Sequence, residues 1–229
     1  MFNEHSLDAV ADIVKNVVAR KCNDFRDGDI VDEDDFSSAL VSSLRDGLND
    51  LKLQHEASYI TGYGATSSRE YTVHARATKS RHAASEENYS GADILMGFRA
   101  EIDGEPIRKA ALIQAKLYDG EGQFLKMPSG TKDKEYLLKQ CRRMRRIAGD
   151  ASYVVIYSKV GIRFYSGTEY IANFPIDLNF ESGKSFEEFV RGIFSCAIGN
   201  RDLDYMPRGG FSRYLDALGI RNGFEAELD

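Results

Sequence analysis

The sequence predicts a mixed α/β fold in one domain spanning 1–229, with a sheet built around a hairpin and helices before and after it. Three observations carry this. Two runs of β-forming residues, 91–102 and 105–116, flank Asp103-Gly104, and both residues of that dipeptide tolerate the positive φ of a tight hairpin turn. Helical apolar periods lie on either side, over about 32–48 and 133–148. Ser152-Tyr-Val-Val-Ile-Tyr-Ser158, continuously apolar in its middle, reads as a buried strand.

The composition bounds the function classes. A chain of 229 residues with 42% hydrophobic and 11% aromatic residues is globular, with room for one large domain or a domain with an appendage. No apolar run approaches the roughly 20 residues of a membrane span. Met-Phe-Asn-Glu-His-Ser at the N-terminus lacks the basic start and apolar stretch of a signal peptide. A cytoplasmic protein with no membrane partner is expected. Cys22, Cys141 and Cys196 are odd in number and far apart, and His5, His55, His74 and His82 form no pattern with them, so neither a disulfide framework nor a zinc site is indicated. At a net charge of −6, binding to nucleic acid needs a local basic surface or a partner that supplies one.

In chain order, residues 7–20 read as an amphipathic helix with Leu7, Val10, Ile13, Val14 and Val17 on one stripe and Ser6 as cap. Lys21 to Ile30 reads as loop. A second helix starts at Asp32 and runs to Gly47 or Leu48, with Glu33, Asp34 and Asp35 in its first turn, where carboxylates suit the helix dipole. Rotation separates the three. At about 100° per residue, Phe36, Leu40, Leu44 and Leu48 share a stripe with Glu33 on its centre line, while Asp34 and Asp35 turn about 100° and about 160° away. A carboxylate on an apolar seam needs a cation or a metal. The alternative for Glu33 is a plain charged cap. Ala57 to Ser68 reads as loop around a short strand at Tyr59-Ile60, Glu70 to Ala77 as a strand, and 78–90 as a charged loop.

Taking Asp103 and Gly104 as the two central turn residues, Ile102 faces Glu105 and Asp93 faces Gln114; a loop two residues longer would set Asp93 opposite Lys116. Either register keeps Asp93, Gln114 and Lys116 on one face, because side chains alternate with period two. The other face carries Ile94, Met96, Phe98, Ile107 and Ile113, as a core surface should. A carboxylate, an amide and an ammonium thus lie within roughly 5–8 Å of one another. An ordinary cross-strand Asp–Lys pair is the alternative.

Beyond two loops, a helix over about 133–148 is stopped by Gly149. Leu137, Cys141, Met144 and Ala148 trace its apolar stripe, with Gln140 at the edge. Lys139, Arg142, Arg143, Arg145 and Arg146 place five cations in eight residues, which fits phosphate contact and fits equally a solvated helix. Gly161 to Ile171 reads as a strand or hairpin, 185–198 as an amphipathic helix, and 211–218 as a last helix.

The order helix, three strands, basic helix, strand, with an acid on the first helix, Asp93 on the second strand and Gln114-Ala115-Lys116 on the third, resembles the PD-(D/E)xK nuclease superfamily. The wording Gly91-Ala92-Asp93 … Ile113-Gln114-Ala115-Lys116 is most similar to the branch in which Gln replaces the third acid, which includes Mrr-type restriction endonucleases and nuclease domains of anti-phage systems. The resemblance covers about 32–158 and implies a restriction-endonuclease-like αβββαβ core, with the helix at 7–20 and a helical part at 185–220 appended. It implies that Asp93 is the principal Mg²⁺ or Mn²⁺ ligand, that Gln114 offers a neutral ligand or water-positioning oxygen, that Lys116 activates the attacking water, and that Glu33 is the first-helix acid and a further ligand. Gln140, Arg142, Arg143 and Arg146 would face the nucleic acid. Phosphodiester cleavage independently wants hard oxygen ligands, a metal-bound water and charge neutralisation at phosphorus. The expected activity is metal-dependent DNA cleavage in restriction or anti-phage defence, by a homo- or hetero-oligomer served by a helicase, sensor or other defence protein. An inert nuclease-like binding or assembly module is the alternative, and RNA cleavage a third reading.

Overall fold

Asn3 starts the chain's first helix by accepting the Ser6 N–H at 2.9 Å in a computed structural model that describes residues 2–57, 67–80, 89–118, 130–175, 177–178, 182–201, 203 and 210–229. That helix, α1 (Glu4–Asp27), starts earlier and ends later than its apolar stripe predicts. Cys22 and Phe25 carry its buried side one turn further, and Gly28, at φ 87°, closes it in the left-handed conformation. Asn3 is therefore the cap, while Ser6 turns its hydroxyl to the Gln54 N–H at 2.7 Å. Helix α2 (Glu33–Leu48) begins as predicted, with Asp32 as cap accepting from Asp35 N at 2.8 Å.

The strands are β1 (Lys52–Ala57), β2 (Ser67–Lys79), β3 (Ile94–Ile102), β4 (Glu105–Tyr118), β5 (Ser152–Ser158), β6 (Gly161–Ser166), β7 (Lys184–Ser185) and β8 (Asn222–Leu228). The remaining helices are α3 (Thr131–Ala148), α4 (Gly167–Ala172), α5 (Phe186–Phe194) and α6 (Gly210–Leu218). All eight strands form one sheet in the order β1-β2-β8-β3-β4-β5-β6-β7. The β8–β3 and β4–β5 pairs are parallel and the others antiparallel, so the sheet is mixed.

Register sorts the helices into two layers, because residues paired across strands share a face. Leu95, Leu112, Val154 and Gly223 lie on one face. There α6 sets Phe211 and Leu215 against Gly223, where a side chain would collide at 2.6–2.7 Å, and α3 packs on β4 and β5. Ile94, Phe98, Ile113, Val155 and Tyr157 lie on the other. On that side Phe36 of α2 stacks on Tyr157 at 4.2 Å, and Phe194 and Phe189 of α5 meet Phe98 and Phe164 at 5.3 and 3.9 Å. Such ring pairs add about 0.5–1.5 kcal/mol each beyond their buried area. Helix α1 packs against both α2 and α5 and also touches β1, β5 and β6.

Three elements depart from the sequence expectation. Strand β1 precedes the predicted first strand; the strand expected at Tyr59-Ile60 lies outside the described residues. Residues 167–172 form α4, not a second hairpin arm, because Ser166 caps a turn by accepting from Glu169 N. Strand β8, beyond the expected helical end, inserts between β2 and β3 in mid-sheet. Ile107 is only half-buried where a core position is expected, since it sits near the hairpin tip. Among the described residues, no helix is long and apolar enough to cross a membrane.

Candidate active site

The hairpin turn fixes the site. Asp103 (φ 55°) and Gly104 (φ 82°) both take the left-handed conformation of a two-residue turn, matching the right-handed strand twist. Ile102 accordingly pairs with Glu105 and Ile94 with Ile113. Asp93, just before β3, continues that register: its N–H donates to Ile113 O at 2.9 Å, which sets its side chain beside Gln114. Of the two registers open from sequence, the two-residue turn is the one adopted.

The hydrogen bonds to Asp93 converge on Oδ2, which accepts the Ala115 N–H at 2.9 Å and the Gln114 Nε2–H. Gln114 Nε2 also donates to Ala115 O at 3.0 Å. Two acceptors, a carboxylate and a carbonyl, thus fix which way the amide turns. Gln114 is 1% exposed, and its Oε1 has no hydrogen-bond partner among the described residues. Burial pushes the Asp93 carboxyl up from 3.8 to about 6. Lys116 and the Ala115 N–H pull against this, while the negative charges of Glu33 and Asp34 add to it.

Glu33 enters from the other side of the sheet as the first residue of α2. Its Oε1 accepts from Lys116 Nζ at 3.1 Å and its Oε2 from the Leu117 N–H at 3.0 Å. The inward carboxylate has the cation its position calls for. Asp34, turned away from the apolar stripe, is engaged as well: Asn222 Nδ2 donates to it at 3.0 Å, with Lys79 and Arg221 at 3.6 and 3.7 Å. Sequence reasoning missed Asp34 because its partners sit on or beside β2 and β8. The alternation in Asn222-Gly-Phe-Glu-Ala-Glu-Leu228 is the signal for a strand there, though not for its neighbours in the sheet.

Helix α3 lies over the Asp93 face. Arg142 and Arg146 are exposed and Arg143 half-buried, so the basic surface exists. Gln140 is not on it. It is 7% exposed, its Oε1 has no partner among the described residues, and its backbone abuts Gly91. The structure thus brings Glu33, Asp93, Gln114 and Lys116 together and leaves Gln140 beneath the helix.

Among the described residues, no group of three or more His, Cys, Asp or Glu side chains is placed to hold a metal. The donors here are two carboxylates and an amide. By chemistry these are oxygen donors of the kind a hard divalent cation such as Mg²⁺ or Mn²⁺ takes, and the Gln114 oxygen has no partner among the described residues, although the amide turns its nitrogen, not that oxygen, to Asp93. Beside Glu33, Lys116 adds a positive charge. No protein-family model, curated protein or solved structure matches this chain.

Proposed function

We propose that the protein is a metal-dependent endonuclease hydrolysing DNA phosphodiester bonds in restriction or anti-phage defence, on a core of restriction-endonuclease type. One observation carries the reading: a tight turn registers Asp93 beside Gln114, with Lys116 two residues on, and α2 delivers Glu33 to Lys116. The order α2, β2, β3, β4, α3, β5 supports the core, to which β1 and β8 are additions.

Asp93, Glu33 and Gln114 Oε1 would hold Mg²⁺ or Mn²⁺. The bound cation supplies Lewis-acid charge neutralisation at the phosphate. Lys116 orients the attacking water and offsets the negative charge that builds on phosphorus. Glu33 positions Lys116 by accepting from its Nζ, and the α3 arginines hold the DNA backbone. The net charge of −6 supports a helicase, sensor or second subunit that brings the substrate, in the cytoplasm.

The deciding experiment incubates purified protein with plasmid, single-stranded DNA and RNA, each with Mg²⁺, Mn²⁺ or chelator. Cleavage of DNA that needs added metal supports the reading. An inert nuclease-like module is the second reading, favoured by Gln114 presenting a donor, not an oxygen, to Asp93. Nucleic-acid binding without cleavage under every metal condition would select it.

A further inference from the structure

Among the described residues, the large apolar side chains left exposed are Val31, Tyr89, Tyr136 and Val160, at 69, 72, 59 and 54%. They gather at one end of the sheet. Val31 precedes Glu33 by two residues, Tyr89 precedes Asp93 by four, and Val160 follows Ser158, the partner of Tyr118 just beyond Lys116. Helix α3 joins the parallel strands β4 and β5 and so runs back against them, which puts Tyr136, in its second turn, at that same end. Single exposed apolar residues are ordinary, but a group of them around one site calls for an occupant.

Both tyrosines stand on the Asp93 face. Segment 89–93 is tied down on both sides: the Ser90 N–H donates to Leu218 O of α6 at 3.3 Å, Gly91 abuts the Gln140 backbone of α3, and the Asp93 N–H donates to Ile113 O at 2.9 Å. Four residues of chain reach at most about 14 Å, which bounds Tyr89 to Asp93. Tyr136 lies one turn, about 6 Å, before Gln140 and about 40° round the helix from it. Through the Gln140–Gly91 contact, its Cα is within about 18 Å of that of Asp93.

The ring of Tyr136 sits in a line of cations. At about 100° per residue, Lys132, Tyr136, Lys139, Arg143 and Arg146 share an arc of about 80°, turned away from the buried Leu137, Cys141 and Met144. Arg143 is half-buried and the others are exposed. Of the nearby acids, Glu135 lies at the margin of the arc and Asp133 on its far side, against Gly130; none follows on α3. The stripe is therefore net positive on a chain of net charge −6.

Cations interleaved with exposed rings are what a single strand of nucleic acid recognises. An aromatic face stacks on a base only where that base is unpaired, because in a duplex the base faces are already stacked on one another. A duplex also presents one phosphate charge per about 1.7 Å of its axis, and a single strand about half that density. One cationic line on an acidic chain matches the single strand.

We infer that the candidate active site takes single-stranded DNA, its bases stacked on Tyr89 and Tyr136 and its backbone along Lys132, Lys139, Arg143 and Arg146. The inference rests on the nuclease reading for what the site does, and narrows its substrate.

Fluorescence anisotropy on the full chain, in chelator so that nothing is cut, tests it with labelled oligothymidylate of about 12 nucleotides, a blunt duplex and an abasic strand of equal length. The oligothymidylate should bind tighter than either. Tyr89→Ala and Tyr136→Ala, at exposed positions where circular dichroism should show an intact fold, should each weaken it by at least about fivefold, the loss of one stacked base. Tyr89→Phe and Tyr136→Phe keep the rings and should bind like the parent, and neither alanine variant should change affinity for the abasic strand. Duplex binding as tight as single-strand binding, or an equal loss on the abasic strand, would overturn the inference. Alanine variants that bind oligothymidylate like the parent, while DNA is still cut with added metal, would overturn it and leave the nuclease reading standing. Single-strand binding that needs both rings, without cleavage under any metal condition, would uphold the stacking surface and remove the nuclease reading.

Discussion

Gln114 offers its amide nitrogen, not its carbonyl oxygen, to the Asp93 carboxylate across the β3–β4 pair. Where an acid at this position would repel Asp93, the amide bonds to it, and so holds a desolvated carboxylate in place. The same bond leaves Gln114 Oε1 buried without a described partner. A neutral third residue therefore eases the cost of the Asp93 charge while keeping an oxygen in reserve. Each half of that balance can be tested.

Asp93 should destabilise the fold when ionised. Its folded pKa of about 6 lies above the ordinary 3.8, so its stabilising contribution is complete below about pH 3.8 and lost as pH rises through about 6. Asp93→Asn keeps an acceptor and removes the charge. With chelator present, the variant should exceed the parent near pH 7.5 by on the order of 2 kcal/mol and match it near pH 4. Urea denaturation at the two pH values measures this. The variant should show no metal-dependent cleavage.

Gln114→Glu should reverse the balance. A second carboxylate beside Asp93 removes the amide donor and adds repulsion, lowering Tm in chelator. It also adds a charged oxygen ligand, so Mn²⁺ should raise its Tm more than the parent's and half-maximal cleavage should need less metal. Gln114→Ala should lose at least about tenfold in rate, about 1.4 kcal/mol of barrier. Metal titrations in which Glu, Ala and parent coincide would reduce Gln114 to a strand residue.

The hairpin register and the facing of Glu33 were legible because both are local. Asp103-Gly104 admits few turns, and 100° per residue places Glu33 on the stripe of Phe36 and Leu40 without knowledge of the partner. The position of β8 was not legible. Its pairing with β2 and β3 joins residues far apart in the chain, and no local preference selects those neighbours. Asp34 went with it, since Asn222 and Arg221 come from that strand's entry. Gln140 reads from sequence as the edge of the apolar stripe and, by the resemblance, as facing the nucleic acid; in the fold it is buried, with its backbone against Gly91.

That approach makes Gly91 irreplaceable. Its φ is 73°, and a methyl group there would stand 2.7 Å from Gln140 O and 2.9 Å from Gln140 Cα, both backbone atoms of α3. Gly91→Ala should cost about 2 kcal/mol or more, from left-handed strain and overpacking together. Since α3 must lift, Asp93 gains solvent and its pKa should fall toward 3.8. Chemical denaturation and NMR titration of the Asp93 carboxyl would both register the change.

On α3, Arg142→Gln with Arg146→Gln should weaken DNA binding about equally for all sequences and reduce the salt dependence of affinity by roughly one to two counterions. An unchanged slope of log affinity against log salt would assign the nucleic acid to another surface.

The Glu33–Lys116 pair separates structure from catalysis. Both side chains are partly exposed, so a double-mutant cycle of Glu33→Gln and Lys116→Met should give a coupling of no more than about 1 kcal/mol in stability. Glutamine at 33 still offers an oxygen to the Leu117 N–H, which keeps the helix start seated. Kinetics should split the two residues. Lys116→Met should lower the cleavage rate by more than about tenfold while the metal midpoint stays close to the parent's, because lysine acts on water and phosphate. Glu33→Gln removes a carboxylate and should raise the metal midpoint, with rate largely restored at saturating Mn²⁺. If both variants shift the metal midpoint alike and neither lowers the saturated rate, Lys116 serves only to neutralise Glu33, and the attacking water is positioned by another group.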